Sequence, residues 1–109
     1  MNTKVLIIGA CGYVGSVLYS HLKKNTDYQI NTVDLEWFGN YLNSKNHKKI
    51  YYSYLTKEYL EQFDTVILTA AHSSVKMVDS DYNGSFVNNV WNFIQLLNKL
   101  NPEQKFIYC

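Results

Sequence analysis

Short apolar runs rich in β-branched residues recur along the chain and are separated by longer polar or amphipathic segments. The first run, residues 5–8, is uninterrupted and ends at a glycine, as is typical of a strand buried on both faces of a parallel sheet. Later runs are short or alternate with polar residues, and the same rule assigns them to strands. The predicted strands are residues 5–8, 28–35, 50–54, 65–69 and 105–109.

The segments between the strands place apolar residues at helical spacing. A helix is predicted after the first strand and ends near two lysines and an asparagine, which suit a helix C-terminus. A short helix over 56–63 with Thr56 as N-cap and a long helix from about 81 to 100 are also predicted, while residues 36–49 form a loop with a helical turn. The stripes expected to be buried are Val14, Val17, Leu18, His21 and Leu22 in the first helix and Phe86, Val90, Phe93, Ile94 and Leu97 in the last.

Strands that alternate with helices predict parallel βαβ units with right-handed crossovers. The expected architecture is a doubly wound α/β fold of three layers, with about five parallel strands in the order 3-2-1-4-5 between two layers of helices. We expect one domain over residues 1–109, with the second half of such a sheet absent from the chain.

A glycine-rich turn lies at the junction of the first predicted strand and helix. Gly9, Gly12 and Gly15 form a G-x-x-G-x-x-G pattern, where dinucleotide-binding proteins place theirs. Gly9 permits the tight turn, Gly12 lets backbone approach a pyrophosphate at the helix N-terminus, and Gly15 lets the helix pack closely on the strand. The alternative is a flavodoxin-like or response-regulator turn that binds no dinucleotide, but such turns do not require three glycines at this period.

Asp34 ends the second predicted strand, about 20 residues past the turn, where a carboxylate accepts hydrogen bonds from the adenosine ribose hydroxyls. This carboxylate would repel an adenosine 2′-phosphate, and the sequence has no Arg to accommodate one. We therefore expect a Rossmann-type domain that binds NAD rather than NADP, with phosphate held by backbone amides or Lys. The alternative interpretation of Asp34 is a solvated loop carboxylate.

Composition and charge narrow the classes of protein further. Ten Lys against nine Asp plus Glu give a net charge of +1, which excludes the basic surface of a dedicated nucleic-acid or membrane-surface binder. The apolar run before Cys11 is too short for a signal peptide, and no run reaches the roughly 18 residues that span a bilayer, so we expect a cytoplasmic protein.

Cys11 and Cys109 should lie about 9–10 Å apart, two strand spacings, and remain free thiols. Scattered His residues predict no metal site.

Five stretches of the sequence resemble the extended short-chain dehydrogenase/reductase family, the NAD-dependent epimerases and dehydratases of nucleotide sugars. The resemblance covers essentially the whole chain, which corresponds to the N-terminal half or less of such an enzyme. It implies that the catalytic and substrate-binding half lies outside the chain. The stretches are VLIIGACGYVG at 5–15, VDLEWFGN at 33–40, FDTVILTAAHSSV at 63–75, NNVWNFIQLL at 88–97 and KFIYC at 105–109.

The resemblance implies roles for individual positions. It places the amides of Tyr13 and Val14 at the pyrophosphate, and Asp34 with Leu35 at the adenosine ribose. The residues implied to line the nicotinamide side are Thr69, Ala70, Ala71 and Asn89. The residues implied to lie where the sugar substrate approaches are His72, Ser73 and Ser74.

The chain also departs from the family pattern. Tyr54 and Leu55 stand where the family has an Asp-Leu or Asp-Ile pair, so the carboxylate contact to the adenine amino group is missing, and adenine is expected to stack or to bond to the Leu55 amide. Residues 91–93 replace a small Gly-Thr arrangement, which implies different helix packing. Cys11 replaces a small residue, and the helix N-terminus could acidify its thiol, although we favour a packed, unreactive residue.

The family's hydride chemistry uses a Ser and a Tyr-x-x-x-Lys pair, and the chain stops before the position of that Ser. Two Tyr-x-x-x-Lys strings begin at Tyr19 and Tyr41, but we expect the first to face solvent and neither to approach the nicotinamide, so no catalytic residue is predicted. The expected function is the NAD-binding portion of a nucleotide-sugar epimerase/dehydratase, inactive by itself. The alternative is a non-catalytic dinucleotide-sensing or interaction module, and the apolar edge of strand five favours a homodimer.

Overall fold

The computed structural model describes residues 3–36, 39–40, 42–69 and 90–109. In these ranges the chain forms a parallel sheet with strand order β3-β2-β1-β4-β5, so the predicted order 3-2-1-4-5 is confirmed. The strands are β1 Lys4–Ile8, β2 Gln29–Asp34, β3 His47–Lys49, β4 Thr65–Leu68 and β5 Lys105–Tyr108. The helices are α1 Tyr13–Asn25, α2 Lys57–Leu60 and α3 Asn92–Lys99, with a 3-10 turn at Tyr52–Tyr54.

The two central strands bury alternate side chains in two separate cores. One cluster includes Leu6 and Ile8 of β1 and packs with Leu60 of α2 and Leu96 of α3. The other includes Val5, Ile7, Ala10, Tyr19 and Ile67, with α1 packed over them. Successive residues of a strand point to opposite faces, so these clusters define the three layers expected of the fold.

The predicted third strand over 50–54 is wrong, because β3 lies earlier, at His47–Lys49. This strand borders the described sheet and carries two exposed lysines, as edge strands often do, so apolar periodicity does not reveal it. The tyrosine-rich segment forms the 3-10 turn instead, with Tyr52 and Leu55 in the core. In the described part of the predicted loop, residues 42–46 contain no helical turn.

The buried face of α1 lies one residue away from the predicted stripe. Tyr19 is only 6% exposed and packs in the core, so the expectation that it faces solvent is wrong. Val14 and Val17 are exposed instead. The face over the sheet runs through Gly15, Leu18, Tyr19 and Leu22, the i, i+3, i+4, i+7 pattern that starts at the helix's closest approach to the strand.

The last helix shows the same kind of displacement. Asn92 and Leu96 are buried, whereas Val90, Ile94 and Leu97 of the predicted stripe are exposed. Phe93 is partly buried and packs against Phe106 and Tyr108 of β5. The predicted helical residues 81–89, including Phe86, lie outside the described residues.

Candidate functional site

The carboxyl ends of the three central strands meet around the glycine turn. The Gly9 amide donates to Val33 O at 2.7 Å, which joins the turn to the end of β2. The Thr69 amide donates to Ile8 O at 2.8 Å, and the Thr69 hydroxyl donates to the carbonyls of Ile8 and Gly9 at 2.9 and 3.0 Å. Ligands of open α/β sheets bind at this carboxyl edge.

At two of the three glycines, any side chain would be strained or obstructed. Gly9 has φ 88°, in the left-handed region. A Cβ on Gly15 would overlap the Gly9 carbonyl and lie 2.8 Å from Ala10 Cα, so only glycine lets α1 pack this closely. Gly12 has an extended conformation, and a Cβ there would meet Gly9 O at an ordinary 3.4 Å.

The N-terminus of α1 opens toward solvent beside this turn. Gly12 is the N-cap and supplies no side-chain cap, while Tyr13 is 88% exposed and Val14 is also exposed. The first N–H groups of a helix have no intrahelical acceptor, and with the helix dipole they favour an anion. The first turn of α1 carries no acidic residue that would compete for this position.

Asp34, the last residue of β2, points its carboxylate at the glycine turn. Its Oδ2 accepts a hydrogen bond from the Cys11 amide at 2.9 Å, and its Oδ1 accepts one from the Glu36 amide at 2.6 Å. A carboxylate has about four acceptor positions, so each oxygen can accept one further hydrogen bond. Asp34 is thus fixed in orientation and still able to accept two donors from a ligand.

The electrostatic field around the turn is negative on the Asp34 side. Burial, together with the charges of Asp34 and Glu36, raises the pKa of the Cys11 thiol to about 11. The thiol is therefore protonated at neutral pH, which contradicts acidification by the helix N-terminus and agrees with a packed cysteine. Both Cys11 and Cys109 are free thiols.

Two residues that sequence reasoning missed lie next to Asp34. Glu36 has φ 63°, and its Oε2 lies 3.5 Å from Nε2 of His47 on β3. His47 Nδ1 lies 2.7 Å from Thr32 Oγ1 on the neighbouring strand. Only the short spacing from Asp34 to Glu36 is visible in the sequence, because the contact with His47 depends on the pairing of β2 with β3.

The residues expected near adenine differ in accessibility. Tyr54 is 69% exposed, and Leu55 is buried. The Leu55 amide already donates to Tyr52 O at 3.2 Å in the 3-10 turn, so it is not free to bond adenine as expected. Leu35 is half-buried directly after Asp34. An exposed Tyr54 ring leaves stacking as the contact this segment can offer.

Other expected site residues cannot be placed. Ala70, Ala71, His72, Ser73, Ser74 and Asn89 lie outside the described residues. Of the two Tyr-x-x-x-Lys strings, Tyr41 also lies outside them, and Tyr19 is buried with Lys23 Nζ 5.7 Å from its ring centroid. The Lys23 ammonium donates to Asn43 O at 3.1 Å, which ties α1 to the segment before β3.

Within the described ranges, no group of three or more His, Cys, Asp or Glu side chains could hold a metal ion. None of the helices described is long and apolar enough to cross a membrane.

Sequence and structure comparisons point in the same direction as the geometry. The sequence pattern of the NAD dependent epimerase/dehydratase family matches residues 5–109. No curated protein matches the chain by sequence.

Solved structures share the fold over nearly the whole chain. The UDP-Glc/GlcNAc 4-epimerase of Campylobacter jejuni superposes with a TM-score of 0.83 at 24% identity, over 98% of this chain and 36% of that one. The UDP-glucose 4-epimerase of Thermotoga maritima, solved with UDP-glucose, gives 0.80 at 23% identity over 97% and 37%. The Bordetella bronchiseptica enzyme WbmF, solved with NAD+, gives 0.79 at 20% identity over 98% and 36%. The chain thus spans little more than a third of the length of these proteins.

Proposed function

The chain belongs to the NAD-dependent epimerase/dehydratase family, and we propose that it forms the NAD-binding part of an enzyme that acts on nucleotide sugars. The observation that carries this proposal is the Asp34 carboxylate. Two backbone amides fix it beside the glycine turn, and each of its oxygens can accept a further hydrogen bond.

The described residues offer one group for each part of the cofactor's adenosine diphosphate half. The amides of Tyr13 and Val14, at the exposed N-terminus of α1, would bind the pyrophosphate, with Gly12 leaving room for it. Asp34 would accept the two hydroxyls of the adenosine ribose, with Leu35 beside it. The exposed ring of Tyr54 would stack on adenine. When bound, NAD supplies the acceptor and donor of hydride in reactions of this family.

The charge around Asp34 supports NAD over NADP. The negative field that raises the pKa of Cys11 comes from the same two carboxylates that a 2′-phosphate would approach. The sequence contains no Arg that could pair with such a phosphate.

We further propose that the nicotinamide end begins at Thr69, whose hydroxyl closes the glycine turn against the end of β4. Ala70, Ala71 and Asn89 would continue that surface, and His72, Ser73 and Ser74 would approach the sugar. The proposed substrate class is a nucleotide sugar, as for the similar UDP-glucose and UDP-Glc/GlcNAc 4-epimerases.

We propose that the catalytic Ser and Tyr-x-x-x-Lys pair implied by the family resemblance are not among these 109 residues. Tyr19, which begins one of the two Tyr-x-x-x-Lys strings, is only 6% exposed, with Lys23 Nζ 5.7 Å from its ring centroid. We therefore propose that the 109-residue chain binds dinucleotide but does not turn over substrate by itself, and that it works in the cytoplasm.

A second candidate is a non-catalytic module that senses dinucleotide or acts by association. It is favoured by Tyr54, which stands in place of the family's adenine-reading carboxylate. It is also favoured by the exposed side chains of Ile107 and Tyr108 on β5, which could join two copies in a homodimer.

Calorimetric titration of the 109-residue chain with NAD tests the first proposal. Asp34→Ala should weaken NAD binding by about 10- to 100-fold, because hydrogen bonds to a charged acceptor contribute about 1.5–3 kcal/mol. Asp27→Ala is the matched control, since Asp27 is an exposed carboxylate in the segment between α1 and β2. Absence of NAD binding by the folded chain, or equal affinity in Asp34→Ala, would contradict the proposal, and a dimer without dinucleotide affinity would favour association.

A further inference from the structure

Lys99, in the last turn of α3, donates to two backbone carbonyls on either side of Tyr54. Its ammonium lies 2.9 Å from Ser53 O and 2.9 Å from Leu55 O. Among the described residues no carboxylate pairs with this half-buried lysine. Hydrogen bonds from a charged donor are stronger than neutral ones, so this pair ties the 3-10 turn firmly to the end of α3.

The backbone amides of the same turn are also occupied. The Tyr54 amide donates to Tyr51 O at 3.0 Å, and the Leu55 amide donates to Tyr52 O at 3.2 Å. Each carbonyl bonded to Lys99 keeps a second lone pair, but an amino group that approached it would bring positive hydrogens close to the ammonium. The turn therefore offers a base neither a free amide at these two positions nor a favourable carbonyl acceptor.

The side chains of the turn can contact a base without distinguishing one purine from another. The exposed ring of Tyr54 makes an edge contact with Tyr51, with 5.9 Å between the ring centroids, which favours one orientation of the ring. Stacking uses the face of a base, which every purine has, and so tolerates different groups on its rim. The Ser53 hydroxyl can donate or accept and selects neither an amino nor an oxo group.

Adenine and hypoxanthine differ in the group at C6 of the purine ring. Adenine carries an amino group that donates a hydrogen bond, whereas hypoxanthine, like guanine, carries an oxo group that accepts one. A site that accepts a bond from the amino group rejects the oxo analogue, because the acceptor of the site is then left unpaired. The carboxylate that the family resemblance implies in place of Tyr54 would discriminate in this way.

We propose that the dinucleotide site is permissive for the purine base and binds a dinucleotide with a 6-oxopurine about as tightly as NAD. Lys99 is the specificity-determining residue, because it occupies the two carbonyls that could otherwise accept the amino group of adenine. The inference rests on the proposed function, since it names the class of dinucleotide that the same site admits. The ribose and pyrophosphate contacts are common to all these ligands and supply the rest of the affinity.

Calorimetric titration of the 109-residue chain with NAD and with nicotinamide hypoxanthine dinucleotide tests this inference. Because stacking on Tyr54 does not depend on the group at C6, the two dissociation constants should agree within about fivefold. A larger preference for NAD, as a hydrogen bond from the amino group to a protein acceptor gives, would overturn the inference while NAD binding sustains the proposed function. Failure of the folded chain to bind either dinucleotide would overturn both.

Variants of Lys99 test its part in this specificity. Lys99→Met removes the ammonium and frees both carbonyls, so the preference for NAD over the hypoxanthine dinucleotide should rise about three- to tenfold. Lys99→Arg keeps the donors and should keep the wild-type ratio. Lys24→Met, the same change in the last turn of α1, is the matched control and should alter neither affinity. An unchanged ratio, or an equal loss of both affinities, in Lys99→Met would overturn the role of Lys99.

Tyr54→Asp tests the same inference at a position on which folding does not depend, since the side chain is exposed. The aspartate supplies the missing acceptor, so this variant should prefer NAD over the hypoxanthine dinucleotide by about 10- to 100-fold. Equal affinities of Tyr54→Asp for the two ligands would mean that the base does not lie beside this turn, and would overturn the inference.

Discussion

Gly15 of α1 packs directly on the carbonyl group of Gly9, at the point where β1 turns into the helix. A Cβ at position 15 would overlap that carbonyl and approach Ala10 Cα to 2.8 Å. This contact sets which face of α1 is buried, and the Cys11 amide in the same turn donates to Asp34 at the end of β2. The fold and the proposed phosphate site therefore depend on the same pair of glycines.

Gly15→Ala should destabilise the domain, because the obstructing atoms belong to the backbone and cannot rotate away. Overpacking of this kind costs about 1–3 kcal/mol and can cost more. Gly12→Ala is the matched control: its Cβ would sit at an ordinary contact distance and its φ is negative, so we expect a loss below about 1 kcal/mol, mainly from the weaker N-cap. Urea denaturation measures both values. Equal stability of the two variants would contradict the packing argument.

Much of the site could be predicted from the sequence because its cues are local. The backbone geometry of one strand-to-helix turn requires Gly9 and Gly15, and the fold fixes the spacing between that turn and Asp34. The strand order followed from the alternation of strands and helices.

The failures arise where long-range packing overrides local pattern. β3 is a polar edge strand recognised by its pairing with Thr32–Asp34 rather than by apolar residues. Tyr19 is buried because Gly15, one turn before it, sets the face of α1. Likewise, the contact of Glu36 with His47 joins residues 11 positions apart through a strand register that no periodicity encodes.

Thr69→Val should loosen the junction between the glycine turn and β4. The Thr69 hydroxyl is close to two carbonyl oxygens, those of Ile8 and Gly9, and valine keeps its shape but cannot donate. We expect a loss of about 1 kcal/mol in the free energy of unfolding. Thr69→Ser retains the hydroxyl and should lose less. Thermal unfolding followed by circular dichroism distinguishes them, and a valine variant as stable as the wild type would show that the hydroxyl contributes nothing.

The Cys11 thiol should react slowly with alkylating reagents near neutral pH. With a pKa of about 11, only about one thiol in a thousand is ionised at pH 8. In a Cys109→Ser background, the labelling rate by iodoacetamide should rise about tenfold per pH unit between about pH 8 and 10. A rate that levels off near pH 8 would contradict the raised pKa.

Glu36→Gln in that background should speed the labelling of Cys11 at fixed pH. Glu36 is one of the charges that raise the pKa of the thiol, so removing it lowers the pKa and increases the thiolate fraction. Glu58→Gln should leave the rate unchanged, since this exposed glutamate is not among the causes of the shift. Equal rates in the wild type and Glu36→Gln would place the Glu36 charge farther from the turn than the structure does.

Substitutions of Tyr54 distinguish between the two proposed functions. Its ring is 69% exposed, so replacing it should change the free energy of unfolding by less than about 0.5 kcal/mol. If the ring stacks on adenine, Tyr54→Ala should weaken NAD binding about five- to tenfold, whereas Tyr54→Phe should retain the wild-type affinity for NAD. Tyr28→Ala, at another exposed tyrosine, is the control and should leave that affinity unchanged. Tyr54→Asp installs the carboxylate that the family uses to read adenine. Tighter NAD binding by Tyr54→Asp than by the wild type would mean that the tyrosine has weakened the cofactor site, which favours sensing or association over catalysis.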